Sequence, residues 1–430
     1  MKYPVLQIAL DYVNLSRALK TAKEAVAGGC DWVEAGTPLI KSEGLDAVRK
    51  LRGMFPAKTI IADMKIMDAG RIEVEAAAKA GADIICVLGA ATDATIKECV
   101  EAAKNYGAKI EIDLIGVKDA VRRAKEAEFL GADYIGMHCA IDEQMEGKDP
   151  FKNIKEIRKA VSLPIAVAGG INSETAINAV KAGADIIIVG GAITKAVDIR
   201  SAVKNLKKAI SKKVSVKTDL FKRVNENEVK KILRKISTPN ISDAMHRSGD
   251  LGNIYSICPG TKMAGKVFTV RTYPGDWAKT VEAVDKASPG DVIAIDAGGV
   301  GPAVWGELAT HGAIQKKIAG IIIDGAVRDV LEIRKLKFPV FAKLITPTAG
   351  EPKGFGETGI PINISNIKVF PGDWAIGDDD GVCIIPAAKV VEIANRAMNV
   401  LETENRLRKE IDEGSTLAKV IELLKWEKRR

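Results

Sequence analysis

The sequence has 430 residues, of which 47% are hydrophobic and 28% are charged, a composition typical of globular protein that excludes a disordered chain. This length allows two or three ordinary domains. The net charge is +8, but basic and acidic residues are mixed along the chain and only 5% of residues are aromatic, so nucleic-acid binding is not expected. The basic stretches at 211–217 and 425–430 are interpreted as a solvated linker and a helix end.

The N-terminus and the cysteines indicate a cytoplasmic protein. Residues 1–12 are too short and too soon acidic for a signal peptide, and they are predicted to form a first strand. No stretch approaches the roughly 20 apolar residues that a membrane span needs. The six cysteines are widely separated and contain no CxxC pair, so we expect buried free thiols rather than disulfides or zinc ligands.

The first half of the chain alternates short apolar runs with amphipathic helical stretches. Eight runs are predicted to be strands: 5–11, 30–36, 59–65, 82–89, 109–116, 132–140, 164–171 and 184–193. The phrase AGAD or LGAD recurs at 80–83, 130–133 and 182–185, where its glycine is expected to end a helix before the next strand. Nearly continuous apolar strands are typical of a parallel sheet covered by helices. The pattern therefore predicts an α/β fold with a (β/α)₈ barrel at 1–212, and a doubly wound open sheet is the alternative.

The repeat ends near residue 212, and the sequence after it differs in texture. Residues 213–224 are interpreted as a linker and 225–430 as a second domain of mixed α/β structure with a twisted central sheet. Helices are predicted at 226–237, about 303–317, 328–336 and 387–412, with the last part of the chain helical and charged. Strands are predicted within KMAGKVFTVRTYPGD, DVIAID, AGIIIDGA, PVFAKLIT, NIKVFPGDW and VCIIP.

Polar residues stand at the ends of several predicted barrel strands, where enzymes of this fold carry their chemistry. They are Asp11, Glu34, Asp63, Lys65, Asp68, Asp113 and His138. Asp63 and Lys65 are two residues apart on one strand, so their side chains are expected to point together into the barrel mouth. Buried charges must be paired or bind a metal. For Asp113, capping of the next helix is an open alternative, and for His138 the alternative is a structural role on an apolar strand.

The segment DMKIMD at 63–68 has the form DxKxxD and resembles the orotidine 5′-monophosphate decarboxylase suprafamily. Residues 1 to about 210 resemble its 3-hexulose-6-phosphate synthases through LQIALD, VEAGTPL, ADMKIMD, AVAGGI and IVGGAI. Two other branches resemble the chain less. Orotidine decarboxylases carry a lysine where Glu34 stands, and 3-keto-L-gulonate-6-phosphate decarboxylases are expected to carry an arginine where Ile141 stands.

The resemblance implies an aldehyde-lyase of the ribulose monophosphate pathway. Such an enzyme adds formaldehyde to D-ribulose 5-phosphate to give D-arabino-hex-3-ulose 6-phosphate, or runs in reverse to supply ribulose 5-phosphate. A magnesium or manganese ion is expected on Glu34 and Asp63, because such ions prefer hard oxygen ligands. The implied catalytic residues are Asp11, Lys65, Asp68 and His138, with His138 as general base and Asp68 reaching the site of a partner subunit in a dimer.

Paired glycines follow the seventh and eighth predicted strands, at Gly169-Gly170 and Gly190-Gly191. Barrel enzymes commonly bind phosphate at these two loops. Because glycine lets backbone N–H groups approach an anion closely, we expect the sugar phosphate to bind here.

In the second half, Glu307 is followed after twenty residues by Arg328 and Asp329. With the stretches WGELATHGA, DGAVRD and GDDDGVCIIP, this spacing resembles the RraA family over about 225–400, a family of ribonuclease regulators and 4-hydroxy-4-methyl-2-oxoglutarate aldolases. The resemblance implies that Asp329 binds Mg²⁺, Glu307 holds its waters and Arg328 binds a carboxylate of an oxo acid, in a domain whose suggested assembly is a trimer. The alternatives are that Arg328 and Asp329 only cap a helix, and that the domain is a ribonuclease regulator or an assembly scaffold.

Overall fold

The computed structural model describes residues 4–147, 151, 153–220, 223–224 and 228–421. The chain divides into two compact units, Met1–Arg223 with Glu402–Arg430, and Val224–Leu401. Parts of the predicted linker (221–222) and second domain (225–227), and the basic segment 425–430, lie outside the described residues.

The first unit contains a closed barrel of eight parallel strands in chain order, as predicted. The strands are β1 Val5–Leu10, β2 Trp32–Ala35, β3 Thr59–Ile66, β4 Ile84–Leu88, β5 Lys109–Asp113, β6 Tyr134–His138, β7 Ile165–Ala168 and β8 Ile186–Val189. Strand β1 pairs with both β2 and β8, which closes the barrel. The open-sheet alternative is therefore wrong.

Helices follow the strands and cover the outside of the barrel. They are α1 Leu15–Gly28, α2 Thr37–Glu43, α3 Asp46–Met54, α4 Gly70–Lys79, α5 Asp93–Tyr106, α6 Ala120–Phe129, α7 Ile141–Met145, α8 Ile154–Ala160, α9 Ala176–Ala182, α10 Gly191–Thr194 and α11 Ile199–Lys212. Their buried alanine-rich faces pack on Leu, Ile and Val side chains of the strands. The recurring glycine is left-handed, as at Gly183 (φ 109°), and so lets each helix end and reverse into a strand.

The second unit is built on a nine-stranded mixed sheet and a separate two-stranded hairpin, β16–β17. The strands are β9 Tyr255–Ser256, β10 Met263–Arg271, β11 Val292–Asp296, β12 Ala303–Trp305, β13 Gly320–Val327, β14 Val340–Ile345, β15 Glu357–Thr358, β16 Ile362–Ile364, β17 Ile367–Val369, β18 Trp374–Asp378 and β19 Gly381–Ile385. Its centre is parallel in the order β10, β11, β13, β14, and β18 and β19 extend it in antiparallel fashion beside β10.

The helices after the barrel differ from the prediction in three places. They are α12 Val229–Leu233, α13 Thr238–Ala244, α14 Ala278–Lys286, α15 Glu307–Gln315, α16 Val330–Leu336, α17 Val390–Asp412 and α18 Leu417–Val420, with a 3₁₀ turn at Ala387–Lys389. Helices α13 and α14 were not predicted, and residues 303–305 form strand β12 instead of the start of a helix. The sheet overrides local propensity there, because β12 finds a hydrogen-bonding partner in β13.

The end of α17 belongs to the barrel unit, whereas the predicted boundary assigned all residues after 225 to the second domain. Glu410 pairs with Arg17 of α1, and Arg406 Nη1 donates to the Thr194 carbonyl oxygen over 3.0 Å. Lys409 donates to the Val197 carbonyl oxygen. The charged last turns of α17 therefore pack on the barrel, which a local hydrophobic pattern does not reveal.

Two further features concern the cysteines and the helices. All six cysteines are buried and free. Among the described residues, no helix combines the length and the apolar character that a bilayer crossing requires.

Candidate active sites

Lys65 lies between two carboxylates at the mouth of the barrel. Its Nζ is 3.0 Å from Asp63 Oδ2 and 3.1 Å from Asp113 Oδ2. Asp63 and Asp113 are buried, and burial alone would lower the pKa of Lys65, but the charges of the two aspartates raise it. The ammonium is therefore held in its charged form beside the barrel axis.

The backbone of β3 departs from regular strand geometry at this lysine. Lys65 has φ 49°, in the left-handed region, and the β3–β4 register shifts between Ala62 and Ile66. Such irregularities redirect side chains and are common beside active sites. The predicted meeting of Asp63 and Lys65 is confirmed, but it is a bulge rather than simple strand alternation that brings it about.

Asp113 connects the lysine to the histidine. Its Oδ2 is 3.2 Å from His138 Nδ1 as well as near Lys65, and its Oδ1 accepts from the Ile115 N–H at 2.9 Å. Burial would raise the pKa of Asp113, but the hydrogen bond and charge of His138 and the charge of Lys65 bring it to about 2. The helix-cap alternative is wrong, since Asp119 caps α6 through the Arg122 N–H. Asp63, Lys65, Asp113 and His138 are called the barrel cluster below.

Two further acids, Glu34 and Asp11, flank Asp63. Glu34 is buried and accepts from Gln7 Nε2 at 2.6 Å, and its pKa is raised well above the usual value by burial and by the charges of Asp63 and Asp11. Asp11 is exposed as a whole residue, but its carboxylate lies close to Gly190. A Cβ atom added to Gly190 would lie 2.8 Å from Asp11 Oδ2. Burial of its carboxyl and the charge of Asp63 raise the pKa of Asp11.

These carboxylates have the chemistry of a divalent-cation site. The charge of Asp63 raises the pKa of both Glu34 and Asp11, and the charge of Asp11 raises the pKa of Glu34, so a cation would relieve an excess of negative charge. Within the described residues, no three His, Cys, Asp or Glu side chains form a group that could hold a metal ion. Mg²⁺ commonly binds through one or two carboxylates and keeps several waters. The Glu34–Asp63 pair fits that mode of binding.

The paired glycines lie at the predicted loops. Gly169 and Gly170 follow β7 with φ 109° and 65°, a conformation that favours glycine, and Gly190 and Gly191 join β8 to the short helix α10. Because Gly190 also packs on Asp11, the loop after β8 borders the acidic site. Phosphate binding by these glycines stays a prediction.

Asp68 lies outside the barrel cluster. It is exposed on the loop between β3 and α4. Its predicted role in the site of a partner subunit stays a prediction.

In the second unit, Glu307, Arg328 and Asp329 meet at the carboxyl end of the parallel strands. Glu307 begins α15 after β12, and Asp329 follows β13. Asp329 Oδ2 accepts from the Glu307 N–H at 3.3 Å and lies 3.4 Å from Arg328 Nε. His311 Nε2 is 2.9 Å from Glu307 Oε1. These four residues are called the sheet-edge cluster.

The sheet-edge cluster was predicted in part. Asp329 adopts φ 58° and makes no side-chain hydrogen bond to its own helix, so the helix-cap alternative is wrong for it. The Asp329 carboxylate lies against Gly306 instead. A Cβ atom added to Gly306 would lie 2.6 Å from Asp329 Oδ2. His311 was not predicted, although its spacing of four residues from Glu307 on a helix could have indicated it.

Comparisons with known proteins divide the chain in the same way. A family model described as orotidine 5′-phosphate decarboxylase / HUMPS family matches residues 4–206, and one described as Aldolase/RraA matches residues 238–384. The 3-hexulose-6-phosphate synthase of Bacillus subtilis (strain 168) is 46% identical over 206 residues, which are 48% of this chain and 98% of that protein. The chain belongs to the orotidine 5′-phosphate decarboxylase / HUMPS family. A 3-hexulose-6-phosphate synthase from Mycobacterium gastri is 40% identical over 206 residues, 48% of this chain and 99% of that protein.

The family membership confirms the resemblance of residues 1 to about 210 to 3-hexulose-6-phosphate synthases. A solved structure of 3-hexulose-6-phosphate synthase from Salmonella typhimurium is 35% identical, covers 49% of this chain and 99% of that chain, and has a TM-score of 0.47. The family member described here is an enzyme of the lyase class, and residues 238–384 form an RraA-like domain.

Sequence reasoning missed three residues of the barrel site. Thr37 Oγ1 donates to Asp63 Oδ2 at 2.7 Å, and Gln7 holds Glu34. Glu111 is buried below the cluster with Oε2 unpartnered among the described residues, and burial together with the charges of Asp113 and Asp63 raises its pKa to about 8. Its position two residues before Asp113 on one strand was the available signal, because such residues share a face.

Proposed function

We propose that the barrel catalyses aldol addition of formaldehyde to D-ribulose 5-phosphate, giving D-arabino-hex-3-ulose 6-phosphate, or the reverse cleavage. The observation that carries the proposal is the position of the partly buried Lys65 between Asp63 and Asp113, with His138 on the same aspartate. Relatives that are 40–46% identical and carry the name 3-hexulose-6-phosphate synthase support it.

The barrel cluster suits removal of a proton from C1 of the sugar phosphate. His138 accepts that proton, because histidine changes charge closest to neutral pH, and its contact with Asp113 orients the ring. Negative charge then develops on the sugar oxygens. Lys65 stabilises this charge as a fixed cation in a water-poor setting, where an electrostatic interaction is stronger than in bulk water.

The remaining residues position the substrate. Glu34 and Asp63 would hold Mg²⁺ or Mn²⁺, which supplies Lewis-acid stabilisation of an oxyanion. Asp11 lies at the rim next to Gly190, where it is placed to hydrogen-bond a sugar hydroxyl. The glycine loops after β7 and β8 offer backbone N–H groups to the phosphate.

The test is an assay of the full chain with ribulose 5-phosphate and formaldehyde, before and after chelation and with Mg²⁺ restored. We expect metal-dependent formation of a hexulose phosphate that Asp63→Asn abolishes. The matched control is Asp46→Asn, which makes the same chemical change at an exposed helix position paired with Arg49. Substantial activity in Asp63→Asn would contradict the assignment.

The alternative reaction is decarboxylation of 3-keto-L-gulonate 6-phosphate. That branch is expected to use an arginine at the position of Ile141, which is exposed at the start of α7. Release of CO₂ from that substrate, faster than consumption of formaldehyde, would favour the alternative.

We propose a second activity, cleavage of a hydroxylated oxo acid to pyruvate, for the sheet-edge cluster. The convergence of Glu307, Arg328 and Asp329 supports it, since a guanidinium can hold a carboxylate through two parallel hydrogen bonds. The test follows pyruvate released by the full chain from 4-hydroxy-4-methyl-2-oxoglutarate. Asp329→Asn should remove this release, and Asp285→Asn, an exposed aspartate on α14, should not. A parent chain that releases no pyruvate would leave the regulator or scaffold alternative for this domain.

A further inference from the structure

A second concave site lies in the RraA-like unit. It lies at the amino ends of the parallel strands, whereas the sheet-edge cluster lies at their carboxyl ends. It is a cavity of about 970 Å³ lined by residues that precede β10, β11, β13 and β14, among them Gly290 and Ala319. The parallel strands therefore begin at this cavity and end at Glu307 and Asp329. The two sites do not share a lining residue.

Five cations from four chain segments surround this cavity, which is called the basic cavity. They are Arg234, Lys262, Lys317, Arg334 and Lys337. Among the described residues, no carboxylate side chain lines the cavity and none lies within ion-pair distance of these five cations. Their sequence neighbours behave differently: Lys316 pairs with Asp285 at 2.9 Å and Lys335 with Glu332 at 2.8 Å, both outside the cavity.

The nearest acids are already engaged. Asp378 accepts from the Thr238 N–H at 2.8 Å, and Asp379 accepts from the Gly260 N–H at 2.8 Å. Burial lowers the pKa of Lys262, and the charge of Asp378 opposes this only in part. The nearby acids therefore offset the positive charge of the cavity only in part.

Some of the cations are held in place by the backbone. Arg334, which lines the cavity, donates from Nε to the Ile257 carbonyl oxygen at 2.8 Å. Lys317 and Lys337 have φ 57° and 51°, where each chain segment leaves a helix and enters a strand. Helix C-termini attract cations, and Arg234, Lys317 and Lys337 stand where α12, α15 and α16 end. That attraction does not explain why all of them line one cavity together with Lys262.

We propose that the basic cavity binds a small metabolite carrying at least two phosphate groups. Its volume lies in the range of small-molecule sites, roughly 300–1,000 Å³. Arginine and lysine are the side chains that bind phosphate oxygens most strongly. The buried side chains of Ile318 and Phe338 add an apolar wall that would contact the body of such a ligand. A concave site in which several cations converge suits a compact anion better than an extended nucleic-acid backbone.

The experiment is calorimetric titration of the full chain, with ribulose 5-phosphate present in excess so that phosphate sites in the barrel are filled. The probes are pyrophosphate, adenosine diphosphate, fructose 1,6-bisphosphate and inorganic phosphate, with a short single-stranded RNA as a separate arm. We expect at least one diphosphate probe to bind with Kd below about 100 µM and more tightly than inorganic phosphate, with affinity falling as salt rises. Pyrophosphate, adenosine diphosphate and fructose 1,6-bisphosphate, each with two phosphate groups, distinguish a bare polyphosphate from a nucleotide or a sugar bisphosphate.

Two pairs of variants locate the binding. Arg334→Gln with Lys337→Gln should weaken the best probe at least about tenfold, because two charged hydrogen-bond donors are lost. Lys316→Gln with Lys335→Gln removes the same number of charges outside the cavity and should leave Kd within about twofold, as expected for screened surface charges. If loss of the Arg334–Ile257 contact unfolds the first pair, Lys317→Gln replaces it. Absence of binding by every diphosphate, equal binding in both pairs, or tighter binding of RNA that the first pair removes would each overturn the proposal.

Discussion

The barrel cluster and the sheet-edge cluster contain similar side chains but differ in their exposure to water. The side chains of Asp113, Asp63 and Lys65 are 7%, 11% and 23% exposed, whereas those of Glu307, Asp329 and Arg328 are 28%, 39% and 43% exposed. Charges that are shielded from water interact more strongly. The charged side chains of the barrel cluster therefore hold one another in position. The interactions within the sheet-edge cluster depend more on a bound molecule that displaces water from it.

Among the variants that compare the two clusters, Lys65→Met should have the largest effect. This change removes the cation between Asp63 and Asp113, and kcat/KM for formaldehyde-dependent consumption of ribulose 5-phosphate should fall by about a thousandfold, as for loss of a preorganised electrostatic contact. The control is Lys50→Met at an exposed position on α3. Pyruvate release by the sheet-edge cluster should not change, and a loss of less than tenfold in the barrel reaction would mean that Lys65 is not catalytic.

Asp113→Asn tests whether the connection between Lys65 and His138 matters. The variant keeps the shape but loses the charge that both partners share, and kcat should fall roughly a hundredfold, with a smaller change in KM, because orienting partners have effects of this size. The measurement is steady-state kinetics at saturating Mg²⁺. Parental kcat in this variant would show that the aspartate is only structural.

Arg328→Lys tests the more exposed cluster. Lysine retains the charge but loses the planar pair of donors, so pyruvate release should fall roughly tenfold through KM, the size of one charge-assisted hydrogen bond. Arg247→Lys at another exposed position is the matched control. An unchanged KM would argue against carboxylate binding by Arg328.

Glu111→Gln should alter stability and its dependence on pH. The ordinary pKa of a glutamate is 4.5 and that of Glu111 is raised to about 8, so between these values the folded protein keeps a proton that the unfolded chain has released. The free energy of unfolding contributed by this group therefore falls as pH rises, by at most about 1.4 kcal/mol per unit, and becomes constant above pH 8.

The measurement for Glu111→Gln is urea unfolding of parent and variant at pH 5, 6.5 and 8. The variant should gain stability relative to the parent as pH increases, and subtraction of the two curves removes contributions from the rest of the chain. Parallel pH dependence in both proteins would show that Glu111 does not retain its proton in the folded state.

Much of the barrel site was predictable because it lies at the ends of strongly periodic strands. Asp63, Lys65 and His138 each follow an apolar run, and in a parallel barrel all strand ends of one kind meet at one mouth. The role of Asp113 was not predictable in this way. From the sequence, Asp113 could either cap the next helix or pair with Lys65, which is 48 positions away in the chain. Only the closed barrel decides between these two roles.

The sequence by itself determined the eight strand–helix units, the buried thiols and the candidate acids, because hydrophobic periodicity and residue chemistry are local properties of the chain. Tertiary structure alone decided three features: the left-handed turn at Lys65, the return of α17 to the barrel through Arg406 and Glu410, and the gathering of five cations at the basic cavity. Each of these depends on contacts between segments far apart in the chain. Such contacts arise from packing and sheet register, which no short stretch of sequence specifies.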